Sequence, residues 1–200
     1  MAEHIRRYDP FANFLCARGF VVTGQDHAGH GKSVGKAGIK GYFGETDGWA
    51  NLIADMKTLH DLTRAAYPAL PYTLLGHSMG SFLARAYAAR CGEDIDAFIF
   101  SGTAGKNGAL PIAKWLALRD IKRGKSKTPN QTLDKLAFGA YANAIPGAKT
   151  PFDWLTHDET IVDAYIADEA CGFVFTTAAF RDLFDGLMDI NRKDCARGVP

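Results

Sequence analysis

Ser78 stands at the centre of Gly76-His77-Ser78-Met79-Gly80, a G-x-S-x-G run. A serine hydroxyl is a weak nucleophile. It attacks a carbonyl only when lifted clear of its neighbours, with a base beside it and donors ready for the developing oxyanion. A sharp, strained turn between a strand and a helix supplies the lift, and this is the nucleophile elbow. Glycines two residues on either side are expected to leave room where the strand and helix backbones crowd. The helix that follows aims its N-terminus at the site, and the Met79 N–H is expected to be one oxyanion donor. The bare pattern is weak and gains force only from its flanks. Here Tyr72 to Leu75 is short and apolar, and Met79 to Arg90 reads as a helix. An elbow would turn His77 away from Ser78, which makes it a packing residue rather than the base.

Other residues that could do chemistry fare less well. Gly31-Lys32-Ser33 ends like a phosphate loop, but that motif needs glycine five positions before Gly31 and Asp26 stands there. His27 and His30 have no Asp, Cys or His at a familiar ligand spacing, and loop-bracing hydrogen bonds are expected of them. Cys16, Cys91, Cys171 and Cys195 are scattered without a CxxC pair, which fits thiols in a reducing cytoplasm and marks neither a disulfide framework nor a metal site. No metal and no organic cofactor is expected.

The elements that position Ser78 are read from punctuation and periodicity. Asp9-Pro10 is expected to cap and open a first helix, with Phe11, Phe14, Leu15 and Arg18 at helical spacing and Gly19 closing it. Phe20-Val21-Val22-Thr23 reads as a buried strand, followed by a Gly-rich loop from Gly24 through Gly44. A long helix opens at Asp47, with Trp49, Leu52, Ile53, Met56, Leu59 and Leu62 facing inward, and ends near Pro68. Buried strands are expected at Tyr72 to Leu75 and Ala97 to Phe100. Strands alternating with helices, each apolar on both faces, predict an α/β fold with a parallel sheet. From Lys106 to about Arg192 there are helical stretches and loops but no convincing strand. Aromatic residues are frequent there, from Trp115 to Phe184. The last helix, Thr176 to about Asn191, is expected to return to the sheet. Charges nearly cancel, with 23 Lys and Arg against 22 Asp and Glu, so nucleic acid is not an expected partner. No apolar run is long enough to be a transmembrane segment, and no signal peptide is evident.

With these residues in hand, the chain resembles the monoacylglycerol lipase and lysophospholipase branch of the α/β-hydrolases, also called the serine aminopeptidase S33 group. Gly76-His77-Ser78-Met79-Gly80 matches the family's GHSMG, and Asp26-His27-Ala28-Gly29-His30-Gly31-Lys32-Ser33 matches its DxRGHGxS loop, with Ala28 where arginine is common. Glu3-His4 with Arg7-Tyr8 matches the tail of HGxxEHxxRY. The resemblance implies a partial α/β-hydrolase: residues 1–105 as the N-terminal core, 106–175 as a helical cap or lid, and 176–200 as a helix returning to the core. It implies a serine esterase using Ser78 on monoacylglycerols, lysophospholipids or similar acyl esters, compatible with peripheral contact with lipid. Peptidase, thioesterase and perhydrolase activity on the same fold, or a non-catalytic fragment or pseudoenzyme, are the alternatives. A dehalogenase is disfavoured, because it needs a carboxylate where Ser78 stands.

The resemblance also implies gaps. The triad order is Ser, then acid, then His, yet the single histidine downstream is His157, beside Asp158 and Glu159 at the start of a cap helix. The triad acid and histidine are therefore expected outside these 200 residues, as is the family's HG dipeptide with its apolar strand. By alignment Met1 holds the position of the second oxyanion donor, where a mobile ammonium is expected in place of a fixed amide. The missing strand belongs between Phe20 to Thr23 and Tyr72 to Leu75, leaving both edges unpaired. The chain is expected to be part of a longer hydrolase, to fold poorly and to turn over little ester.

Overall fold

A computed structural model describes residues 1–36 and 38–200. Two strands, β1 (Thr73–His77) and β2 (Ala97–Ser101), pair in parallel, with Thr73 opposite Ala97 and His77 opposite Ser101. Parallel neighbours need a crossover, and α3 (Met79–Cys91) supplies it, packing on both strands. Its side chains Met79, Leu83, Ala84, Tyr87 and Ala88 are buried. Asp96 anchors the entry to this unit, accepting from the Tyr72 N–H at 2.6 Å and from Arg64 at 3.1 Å.

The sheet is smaller and wetter than its apolar sequence predicts. Phe20 to Thr23 is not a strand; Phe20, Val21 and Val22 are 61%, 44% and 38% exposed. Leu75, Ile99 and Phe100 are exposed as well, at 40%, 48% and 41%, so β1 and β2 are not the fully buried strands expected. The reason is pairing. A strand exists through hydrogen bonds to a neighbour, and among the described residues no strand pairs with Phe20 to Thr23. In its place runs a cavity of about 560 Å³, with Phe20 and Val22 on one side and Leu74, Leu75 and Ile99 on the other.

Around this pair the helices follow the sequence closely. A 3-10 turn (Ile5–Tyr8) runs directly into α1 (Asp9–Cys16), so Tyr8 takes the N-cap position and Asp9 is already helical. The expected Asp9 cap is thereby displaced by one residue. Gly19 closes the segment at φ +86°, the left-handed conformation that glycine adopts without penalty.

Helix α2 (Gly48–Ala66) follows Asp47, which is left-handed at φ +52°. Trp49, Leu52 and Ile53 are buried, and Met56 and Leu59 are half-buried. Leu62 is exposed, contrary to its expected inward place, and His60 is buried instead. At about 100° per residue, position 62 lies roughly 200° round from position 60, on the opposite side of the helix. His60 Nδ1 bonds the Tyr87 hydroxyl at 2.8 Å, tying α2 to α3.

Beyond β2 come α4 (Leu110–Lys122), α5 (Gln131–Asn143), α6 (Glu159–Ala167) and α7 (Thr177–Ile190). Among the described residues no named strand follows β2; a single antiparallel bridge joins Pro129 to Thr176. Thr176 caps α7, its hydroxyl accepting from the Ala179 N–H at 3.3 Å and donating to the Gly41 carbonyl at 2.8 Å. Helix α7 packs on α4, α3 and α2, with Phe180, Leu183, Phe184 and Ile190 buried, so the core sits between the returning helix and the crossover helix. Arg85 of α3 reinforces the joint by donating to the carbonyls of Ile190 and Ala104 at 2.9 and 2.8 Å; a cation at a helix C-terminus is favourably placed.

At the α2–α7 contact, a Cβ on Gly186 would lie 2.2 Å from the Trp49 ring. Gly186→Ala is therefore expected to destabilise the chain by about 1–3 kcal/mol through overpacking, read as a lower urea midpoint. An unchanged midpoint would mean that the two helices are not packed this closely.

Candidate active site

The turn from β1 to α3 places Ser78 at φ +51°, ψ −120°, one of three non-glycine residues with positive φ among those described. Such a conformation costs on the order of 1–3 kcal/mol and persists only where its surroundings enforce it. Here the Ser78 N–H donates to the Ser101 carbonyl at 2.9 Å, continuing the β1–β2 ladder one residue past the strand. The Ser78 carbonyl accepts from the Ser81 N–H at 2.8 Å and from the Ser81 hydroxyl at 2.6 Å, which begins the helix at once. The side chain lies between, half-buried, and its hydroxyl has no hydrogen-bond partner among the described residues.

The two motif glycines are not equivalent. A Cβ on Gly76 would lie 2.2 Å from the Gly80 carbonyl oxygen and 2.8 Å from the Ser81 nitrogen, so this is where strand and helix backbones crowd. A Cβ on Gly80 would meet nothing within 4 Å. The expectation of crowding on both sides is thus corrected to one side. Met79 is buried at the first position of α3, and its N–H, like the other first N–H groups of a helix, is left without an intrahelical partner. His77 is exposed, with Nδ1 bonded to the Ser101 hydroxyl at 3.0 Å, so it hydrogen-bonds across the strand pair rather than packing.

Facing the elbow is the loop from Gly24 to Gly44. Asp26 organises it: its carboxylate accepts from the Ile5 N–H at 2.8 Å and from the Lys32 N–H at 2.9 Å. Gly31, at φ +42°, lies so close that a Cβ there would meet this carboxylate at 2.3 Å. His30 is buried, bonds the Ala28 carbonyl through Nδ1 at 3.1 Å, and is ringed by Phe43, Phe173 and Phe175. Its expected bracing role therefore holds. Among the described residues His27 Nδ1 is buried without a partner, so His27 contributes burial rather than a bond. Burial pushes both imidazoles down to about 4, with Asp26 opposing and the Met1 amine reinforcing the shift.

Met1 is half-buried, and desolvation lowers the pKa of its amine. Met1 and Met79 line the same cavity, along with Gly80 and His77. His157 lies on the exposed stretch before α6, where Asp158 caps the helix by accepting from the Thr160 N–H at 3.0 Å. Asp26, Arg85 and Ser101 are the positioning residues that spacing alone did not single out; only the Asp of the loop motif carried a signal. The four cysteines are free thiols, and no helix among the described residues is long and apolar enough to cross a membrane.

Comparison with known proteins agrees with this geometry. The family model described as serine aminopeptidase, S33, matches residues 1–200. A monoacylglycerol lipase of Mycolicibacterium smegmatis is 32% identical over 169 residues, 84% of this chain and 52% of that protein. The human monoglyceride lipase is 29% identical over 167 residues, 83% of this chain and 48% of its own length. The chain thus spans about half the length of the curated relatives it matches. Among solved structures, a thermostable carboxyl esterase from Bacillus coagulans, in complex with glycerol, superposes with a TM-score of 0.91 at 30% identity, covering 100% of this chain and 65% of that one. With its strand–elbow–helix unit and a family match along its whole length, the chain belongs to the serine aminopeptidase S33 family of α/β-hydrolases.

Proposed function

We propose that this chain carries the nucleophile of a carboxylic-ester hydrolase that cleaves monoacylglycerol or lysophospholipid-type esters through an acyl-Ser78 intermediate. The observation that carries the reading is the strained Ser78 at φ +51°, held between the Ser101 carbonyl and the first turn of α3. In this reading Ser78 Oγ attacks the ester carbonyl, a histidine base takes its proton, and the oxyanion rests on the Met79 N–H with a second donor at the position of Met1. The alcohol leaves with the proton returned by the base, and water then releases the acid by the reverse sequence. Residues 106–175 serve as the cap, residues 1–105 as core and 176–200 as the returning helix. The exposed Ile112, Trp115 and Leu118 on α4 offer that cap a surface for acyl chains or peripheral lipid. Four free thiols fit work in the reducing cytoplasm.

A second reading applies to the 200-residue chain by itself: a nucleophile without its base. His77 is committed to Ser101 and His157 lies on an exposed stretch before α6. The acid and the histidine are assigned to a longer parent, and the chain alone is expected to turn over little ester. Peptidase or thioesterase activity would use the same Ser78 and differs only in the acyl group attacked.

A fluorophosphonate probe and a series of p-nitrophenyl esters test both readings, applied to this chain and to a version extended to the length of its relatives. The extended protein is expected to label at Ser78, to hydrolyse the esters, and to lose both with Ser78→Ala. A folded extended protein that does not label at Ser78 would end the ester-hydrolase reading. Robust, Ser78-dependent turnover by the 200-residue chain would end the second.

A further inference from the structure

Beside the N-terminal segment, three side chains of different donor type converge. His4, Asp168 and Cys171 place one ligand atom each within 4.8 Å of one another, and His4 Nε2 lies 2.8 Å from Asp168 Oδ2. They come from segments more than 160 residues apart. We propose that this triplet is a binding site for a borderline-soft divalent cation, zinc above all, which clasps the N-terminal segment to the loop ahead of α7.

Chemistry selects the ion. Imidazole nitrogen, thiolate sulfur and a single carboxylate oxygen are the zinc ligand set, whereas magnesium and calcium demand several oxygens. The charges also close. A neutral imidazole, a carboxylate and a thiolate balance a divalent ion, and the nearby Arg7 is matched by Glu3 at 3.0 Å. Binding breaks the S–H bond of Cys171, the proton leaves to solvent, and the sulfur lone pair forms the metal bond. Nothing is oxidised or reduced. A tetrahedral ion holds its nitrogen and oxygen ligands about 3.3 Å apart. The His4–Asp168 pair therefore opens by about half an ångström and the thiol closes in. A water molecule completes the four-coordinate shell.

The backbone beneath the site is already fixed. Asp168 and Cys171 share a tight turn, with the Cys171 N–H donating to the Asp168 carbonyl at 2.9 Å and the Ala170 N–H donating to Asp168 Oδ1 at 2.8 Å. On the other side His4 is held between two anchors. The Ala2 carbonyl accepts from the Gly172 N–H at 2.9 Å and from the Tyr165 hydroxyl at 2.7 Å, and the Ile5 N–H donates to Asp26 at 2.8 Å. Little ordering remains for an ion to impose, which favours its binding.

His4 also lines the cavity at the elbow, so the test is one that needs no activity. The chain is titrated with cobalt(II) as a spectroscopic substitute for zinc, with circular dichroism confirming the fold of every variant. A thiolate-to-cobalt charge-transfer band with intense tetrahedral visible bands is expected, displaced by zinc. Cys171→Ser abolishes it, His4→Gln weakens binding at least about tenfold, and a variant with Cys16, Cys91 and Cys195 all replaced by alanine keeps it. Zinc is also expected to raise the melting temperature of the parent chain but not of Cys171→Ser. A cobalt spectrum without a thiolate band, a band that survives Cys171→Ser, a band lost on replacing the other three cysteines, or a melting temperature indifferent to zinc would each overturn the proposal.

Discussion

Gly76→Ala is expected to cost about 3 kcal/mol or more of stability, while Gly80→Ala, four residues on in the same motif, is expected to cost nothing. The difference lies in what a methyl group would touch. At position 76 the Cβ would sit 2.2 Å from the Gly80 carbonyl oxygen and 2.5 Å from its carbon. An ordinary carbon–oxygen contact is about 3.3 Å, so β1 and the start of α3 must part by about 1 Å. Neither can yield easily. β1 is hydrogen-bonded to β2, and α3 is buried through Met79, Leu83 and Tyr87. At position 80 the Cβ meets open space and the residue is already helical, so alanine's better helix propensity contributes up to about 1 kcal/mol in its favour. Urea unfolding of the two variants checks this directly. Equal losses would mean that the elbow is not crowded on the strand side.

Acid is expected to remove much of the stability of the loop facing the elbow, well above the pH at which ordinary carboxylates titrate. His27 and His30 are buried and held neutral, with their pKa pushed down to about 4 from the ordinary 6.5. Below pH 6.5 the unfolded chain takes up protons that the folded chain refuses. Folding stability therefore falls as pH falls from about 6.5 to about 4, and these two groups contribute no further slope below that. The slope is about 1.4 kcal/mol per pH unit for each histidine, on the order of 3 kcal/mol each over the window, as an upper figure. Against a total of about 5–15 kcal/mol for a typical domain, that is a large share. Asp26 moderates both shifts and the Met1 amine strengthens them. Urea midpoints between pH 7 and pH 5 separate this from carboxylate effects, and His30→Gln should remove one histidine's share of the slope, about 1.4 kcal/mol per pH unit. A parent chain equally stable at pH 7 and pH 5 would show that these rings are not buried as described.

How much was legible in the sequence follows from where each signal resides. The G-x-S-x-G run, the apolar stretch before it and the helix after it are local, and local steric demands are enough to place a strand, a strained serine and a helix in that order. The returning helix was legible for the same reason: its apolar stripe repeats at helical spacing from Thr177 to Ile190. Phe20 to Thr23 has the composition of a buried strand, yet strand formation is a property of a pair, and no described neighbour supplies the other half. Leu62, expected inward, is exposed while His60 is buried, because a helix face is chosen by what packs on it, here Tyr87. Asymmetry between Gly76 and Gly80 could not be read from a palindromic motif; it depends on which backbone approaches. By itself the sequence determined the family and singled out Ser78 as the candidate nucleophile. Only the tertiary structure decided that Asp26 holds the facing loop, that Ser101 fixes the elbow from the next strand, and that His4 meets Asp168 and Cys171. Those are contacts between distant segments, and their distances are set by packing rather than by spacing along the chain.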